Sequence, residues 1–300
     1  QAGHQLYSAY VRPSSTTSVT CRSPVWTYTA TSNPTTVYLM ERSNNDVRWR
    51  GSARTWTYIV TYKSLSRSSG YANGAHSLTI YGNGFDTSRS DYRCRFRDGS
   101  GNTRYSANVK PSSSTALTCR SPVWDYGATS NPTTLYLMER SNNDITWRGS
   151  SRTWTYIVTY KSLSLANGYA DGTHSVTISG NGFRVDWSDY RCEFRDSSGR
   201  NAYSAYVRPS SDKLLTCRTP VWYFTATGNP ATLYLRERST NIVQWVGSAR
   251  LWTYTVTYKS IGRTSGYANG AHSVTISGNG FDTSRSDYRC RFSDQSGQTV

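Results

Sequence analysis

Long hydrophobic runs are absent from this sequence: no apolar stretch approaches the roughly 18 residues that a membrane-crossing helix needs. Methionine is down to two residues and lysine to five, at positions 63, 110, 161, 213 and 259. The net charge of +16 is therefore almost entirely arginine. No Lys/Arg block carries it; residues such as Arg48, Arg50, Arg54, Arg93, Arg95 and Arg97 are dispersed along the chain. A nucleic-acid binder would use such charge. Dispersed arginine fits better with a solvated strand surface on which guanidinium groups stack on tyrosine. The spacing disfavours nucleic acid and makes polyanionic glycans the better-matched partner. Helix-favouring Ala, Leu and Lys are thin, while aromatics reach 14%, mostly tyrosine, and Gly, Ser, Thr and Asn are plentiful. This mixture points to short strands joined by turns. No initiating Met and no signal-peptide pattern stands at Gln1, as expected of a mature chain or of a window on a longer one.

The chemistry of catalysis is also missing. His76, His174 and His272 recur before a strand, but no acid or nucleophile recurs with them, so they read as strand-entry side chains. Asp46 with Glu41, and Asp144 with Glu139, resemble calcium ligands, yet Ile242 takes the aspartate's place in the third copy. Asp86 and Asp91 lose a partner in the same way, since Arg184 aligns with Asp86. The glycines of Gly-Asn-Gly-Phe form turns, with no helix behind them to cradle phosphate. The chain reads as a non-enzyme with no metal and no cofactor. N-glycosylation sequons are lacking too, because Asn33, Asn131 and Asn229 are each followed by proline.

What is present is a repeat, and it governs the rest. The segment around Cys21 returns at Cys119 and Cys217, the one at Tyr38 at Tyr136 and Tyr234, and the one at Trp56 at Trp154 and Trp252; each series steps by 98 residues. All nine prolines are repeat-equivalent. Within one copy, residues 66–77 read as a linker or long turn, followed by a strand ending at a glycine turn. A short strand then places Tyr92, Cys94 and Phe96 on one face, and Asp98-Gly99-Ser100-Gly101-Asn102 is a hairpin signal. Pro122 limits the segment around Cys119 to an edge or a strand end. Trp154, Tyr156, Val158 and Tyr160 share one face of a last strand. About seven short strands with turn punctuation describe a β-sandwich.

Six cysteines sit at 21, 94, 119, 192, 217 and 290, an even count at strict spacing, without Cys-x-x-Cys and without His at ligand spacing. They read as disulfides and place the chain in an oxidising compartment. Pairing across 25 residues would join Cys94 to Cys119 and Cys192 to Cys217; pairing across 73 would join Cys21–Cys94, Cys119–Cys192 and Cys217–Cys290. Loop closure gives either bridge about 3–4.5 kcal/mol, so energy does not choose.

The order of motifs resembles the IPT/TIG immunoglobulin-like family. A glycine-containing first strand opens the domain and a Cys-x-x-Pro element lies near its middle: Ser77 to Phe85 with Cys119 to Pro122, then Ser175 to Phe183 with Cys217 to Pro220. The resemblance implies an all-β chain of tandem immunoglobulin-like β-sandwiches of about 98 residues each. In its register residues 1–65 are the C-terminal part of one repeat, 66–163 and 164–261 are complete, and 262–300 are the N-terminal part of another. A rival register starts each domain at the hairpin and gives three whole units. The family register favours Cys94–Cys119 and Cys192–Cys217, leaving Cys21 and Cys290 for partners outside the chain or in a neighbouring subunit.

The function expected from these features is a structural one, in an extracellular or cell-surface filament or appendage. Its units would assemble head to tail or run as one continuous chain. A multivalent glycan-binding adhesin is the alternative, and a polyanion or nucleic-acid binder comes third. The recurring clusters Pro13-Ser14-Ser15, Pro111-Ser112-Ser113 and Pro209-Ser210-Ser211 are candidates for O-glycosylation, against plain serine turns.

Overall fold

A computed structural model of the chain describes residues 3–30, 35–41, 45–51, 54–128, 132–139, 143–186, 188–226, 230–238 and 241–293. The regular elements among them are all strands. Contacts divide the chain into two units, Gln1–Trp124 with Ala128–Ile157, and Asp125–Gly127 with Val158–Val300.

The first unit contains a complete sandwich. One sheet runs in the order Ala116–Arg120, Ser77–Asn83, Thr61–Leu65, Thr146–Trp147. The other runs Ser69–Tyr71, Thr153–Ile157, Thr133–Glu139, Arg93–Arg97, Thr103–Tyr105. Alternation decides which face is buried. Leu78 and Ile80 from the first sheet, and Phe96, Leu135, Leu137 and Trp154 from the second, are all fully buried. Cys94 and Cys119 bridge the two sheets, and Trp124 stacks on Tyr156 with ring centroids 4.7 Å apart. The Asp98 hairpin joins Arg93–Arg97 to Thr103–Tyr105, with Gly101 at φ 89° where a side chain would be strained.

Tyr62 ties the sheets together through its polar end. Its hydroxyl donates to the Leu135 carbonyl at 3.1 Å and accepts from the Leu137 amide at 3.2 Å, both buried. The second unit repeats every one of these features: Tyr160 reaches Leu233 and Leu235, Cys192 bonds Cys217, and Trp222 stacks on Tyr254.

Two details depart from the sequence-based expectation. The aromatic run from Trp154 to Tyr160 is two strands, because Thr153–Ile157 pairs in the first unit and Thr159–Leu163 in the second. Alternation continues across Val158, so the pattern hides the break. The division between the two contact units accordingly falls between Ile157 and Val158, with Asp125–Gly127 grouped with the second. In the same way Thr61–Leu65 pairs with Ser77–Asn83. Second, the segment read as a linker contains the strand Ser69–Tyr71, which runs parallel to Thr153–Ile157. It carries almost no apolar signal because Gly70 lies beneath the Trp154 ring, where a Cβ would come within 2.5 Å.

These contacts separate two tyrosines that look alike in sequence. The Tyr156 hydroxyl is buried with no hydrogen-bond partner among the described residues, and burial pushes its pKa far up. Tyr62→Phe strands a buried amide and a carbonyl, and is expected to lower stability by about 1–3 kcal/mol. Tyr156→Phe removes only an unsatisfied hydroxyl and should be neutral or stabilising. Urea denaturation of the two variants checks the contrast, and equal losses would contradict it.

Candidate functional site

The candidate surfaces come in two kinds: a contact that recurs between neighbouring repeats, and an outward sheet face of arginine and tyrosine. The contact is built by the loop after the buried or half-buried tryptophan of one repeat and the Gly-Asn-Gly turn of the next. In the first unit the Ala30 amide donates to the Gly84 carbonyl at 2.9 Å, and Ser114 Oγ donates to the Thr27 carbonyl. In the second unit the Ala226 amide donates to the Gly280 carbonyl at 3.1 Å. Both glycines have positive φ, 87° and 83°. A Cβ on Gly84 would stand 2.5 Å from the Ala30 Cβ, and one on Gly280 would stand 2.7 Å from that of Ala226. Glycine is thus required twice over, by conformation and by approach. Asp125–Gly127 group with the second unit for a similar reason, since Asp125 Oδ2 meets Lys213 Nζ at 3.3 Å and Gly127 lies against Arg184.

The arginine face lies on the five-strand path that includes Arg93–Arg97 and Thr133–Glu139. Side chains at 93, 95 and 97 point away from the core that buries Cys94 and Phe96. Arg95 and Arg152 both lie over the Tyr136 ring, at 4.2 and 4.3 Å from its centroid, and Arg93 lies over Tyr105 at 4.5 Å. Arg191 over Tyr203 and Arg250 over Tyr234 repeat the pattern. Such pairs hold about 0.5–1 kcal/mol each at exposed sites. They account for arginine where lysine would also have served for charge, because a planar guanidinium stacks and an ammonium does not.

The two copies differ on this face, where Glu193 and Arg236 replace Arg95 and Met138. Glu193, fully buried, stands where the first unit has Arg95, and it receives Arg195 Nη2 at 2.5 Å and Arg236 Nε. Burial pushes its carboxyl up, but hydrogen bonds from Arg236 and Arg195 outweigh that and hold it below the ordinary range.

The other residues singled out in sequence are placed as follows. The His76 ring meets Tyr71 edge-on at 4.9 Å and Arg67 Nη1 at 3.4 Å; burial first, and Arg67 second, lower its pKa. His174 Nδ1 accepts from the Tyr169 amide and His272 Nδ1 lies 3.0 Å from Arg263. Asp144 pairs with Arg95 at 2.8 Å, and Asp86 Oδ1 caps a turn through the Ser88 amide and hydroxyl. Among the described residues no group of three His, Cys, Asp or Glu side chains converges on a metal position. The Asp46 side chain and Asn33, Asn131 and Asn229 lie outside the described residues. Pro111 and Pro209 are buried, whereas Pro13 is exposed. Ser15, Ser113 and Ser211 each accept a backbone amide two residues on, at 3.2 Å, the geometry of a serine turn. Ser14, Ser112 and Ser210 are exposed and donate to a carbonyl four residues on. Cys21 and Cys290 are exposed free thiols. The Gly–Ala approach between repeats was missed at the sequence level, where the glycines read only as turn formers.

Comparison with known proteins places these observations. The IPT/TIG domain family matches residues 61–145, 159–251 and 256–300. No curated protein sequence matches the chain. Among solved structures, two forms of the plexin A4 full extracellular region are similar at 12% identity. The one with domains 1 to 8 has a TM-score of 0.26 and covers 66% of this chain; the one with domains 1 to 10 has 0.27 and covers 72%. This chain spans 18% and 19% of their lengths.

Glu193 makes a testable difference between the copies. Its depressed pKa contributes stability that is complete above the unfolded carboxyl value of about 4.3 and is lost as pH falls through the folded value. Glu193→Gln is therefore expected to flatten the acid limb of the stability–pH curve while lowering stability near neutral pH. Thermal unfolding from about pH 7 to pH 3 reads this; an unchanged acid limb would count against the pairing.

Proposed function

Because the chain belongs to the IPT/TIG domain family, we propose that it is a structural component of an extracellular filament or surface appendage built from tandem domains. Tandem domains of this family support a structural or adhesion-type role, and the recurrent contact between repeats is the observation that carries the finer reading. Ala30 on Gly84 and Ala226 on Gly280 are the same pair of positions in different copies. A heterologous contact repeated in one sense along a chain propagates linearly wherever its rotation does not close a ring, and tandem repeats stack in that way. Two inter-sheet disulfides support an oxidising, extracellular setting.

In this reading each domain runs from about Thr61 to Ile157 and from Thr159 to Thr255, a few residues ahead of the register taken from motifs alone. Cys21 and Cys290 occupy the repeat positions of Cys119 and Cys94, and the reading assigns them bridges of the same kind with adjoining repeats, outside this chain or in a neighbouring subunit. Ser14, Ser112 and Ser210 are the O-glycosylation sites it favours, because all three residues are exposed and each hydroxyl donates to a nearby carbonyl, while the adjoining serines accept backbone amides in turns.

Electron microscopy of the full-length protein is expected to show linear arrays of bead-like domains. Discrete monomers without an extended form would remove the proposal. Gly84→Val should release the loop at 23–30, raising its proteolysis, and lower stability by about 1–3 kcal/mol through backbone strain. Unchanged cleavage at that loop would mean the contact does not hold it.

A further inference from the structure

The outward face of the first complete sandwich carries an open cleft of about 320 Å³, lined by Arg97, Asp98, Gly99, Pro132, Thr134 and Tyr136. Its charge is set by what each neighbour already holds. Asp98 is engaged by its own hairpin: Oδ1 accepts from the Ser100 and Asn102 amides at 3.0 and 2.8 Å, and Oδ2 from Asn102 Nδ2 at 2.9 Å. Arg95 is paired with Asp144 and lies over Tyr136, and Arg152 lies over the same ring. Arg97 is exposed and meets no carboxylate among the described residues. It is directly opposite Thr134 in the strand register, so guanidinium and hydroxyl stand side by side on the cleft floor.

We propose that this cleft binds a sugar bearing a carboxylate or a sulfate, with Arg97 receiving the anion. A guanidinium fork suits either oxyanion. The Thr134 hydroxyl and the backbone at Gly99 match ring hydroxyls, and the Pro132 and Tyr136 surfaces match the apolar face of a sugar ring. The strands beneath are interior to the sheet, since Arg93–Arg97 pairs with both Thr103–Tyr105 and Thr133–Glu139. No free backbone edge is offered here to an extended acidic peptide. The second copy lacks the feature that makes the site. There Arg195, at the position of Arg97, is already bound by Glu193 through Nε at 3.0 Å and Nη2 at 2.5 Å. Near-identical repeats thus carry unlike surfaces, one open to an anion and one self-neutralised.

The test titrates the 300-residue chain with three tetrasaccharides of equal length, one sulfated, one of uronic acid and one neutral, and with inorganic sulfate. Arg97→Ala is compared with Arg120→Ala, which removes the same charge from an exposed position on the other sheet. The expected result is binding of one or both anionic sugars that Arg97→Ala weakens about tenfold or more, that Arg97→Lys partly keeps, and that Arg120→Ala changes by less than about twofold. Which anionic sugar binds more tightly identifies the group that Arg97 receives. An unchanged melting temperature in Arg97→Ala shows that the fold is intact. Equal losses in the two alanine variants would reduce the binding to net charge and overturn the site. Equal binding of the neutral sugar would overturn the role of the anion. Displacement by inorganic sulfate at the same concentration as the sugar would mean an adventitious ion only, and would overturn it too. The outcome is independent of whether the chain forms filaments.

Discussion

The hydroxyl of Tyr62 reaches from one sheet to the backbone of the other, and the order of the sandwich depends on that reach. A strand pair interrupted for a side chain is costly unless its polar groups are satisfied. Here the Leu135 carbonyl and Leu137 amide, on the strand that faces the core, are closed by a single phenol. The tie fixes the offset between the sheets, and the Cys94–Cys119 bridge then joins positions that the offset has already brought together. Aromatic packing follows from the same geometry: Phe96, Trp154, Tyr156 and Trp124 make edge and stacked contacts in series through the space between the sheets. Tyr160, Cys192–Cys217 and Phe194 with Trp252 repeat the arrangement in the second unit.

Charge is handled by the same economy of contacts. A net +16 would form a strong uniform field if every guanidinium pointed freely at solvent. Most of the arginines on the sheet face instead lie over tyrosine rings or against a carboxylate, so their charge is locally balanced while their planar surfaces cover aromatic area. The exchanges of Arg95 for Glu193, of Met138 for Arg236 and of Asp144 for Ile242 together alter this balance. With glutamate, two guanidiniums turn inward on one buried carboxylate. With arginine, Asp144 takes one charge from outside and Arg97 remains exposed.

How much of this was legible in the sequence can be argued position by position. The period of the repeat, the strand alternation at Ser77–Asn83 and the hairpin at Asp98 were visible because each has a local signal. The cysteine spacing left two pairings open, and only resemblance to a family favoured one of them. Tyr62 was invisible as a tie, because alternation assigns a residue to a face and says nothing about which sheet its hydroxyl will reach. The strand Ser69–Tyr71 was hidden by Gly70, whose missing side chain is what admits Trp154. The Ala30–Gly84 approach was hidden for another reason: it links one repeat to the next, so no window within a single copy contains both residues.

That last contact also explains why the copies resist divergence at some positions and not at others. A glycine that serves only a turn can give way to asparagine, which tolerates positive φ. Gly84 and Gly280 have no such substitute, because any Cβ would enter the space held by an alanine of the preceding repeat. The alanines are limited in turn, since a larger side chain would push against the turn from the other side. In these two places a repeat therefore constrains its successor through a pair of small residues, and a change at one member is not relieved within its own domain. Side chains on the arginine face pair with neighbours in their own copy, as Arg95 with Asp144 and Glu193 with Arg236 show. Shared architecture and separate surface chemistry are therefore encoded at different positions of one repeat.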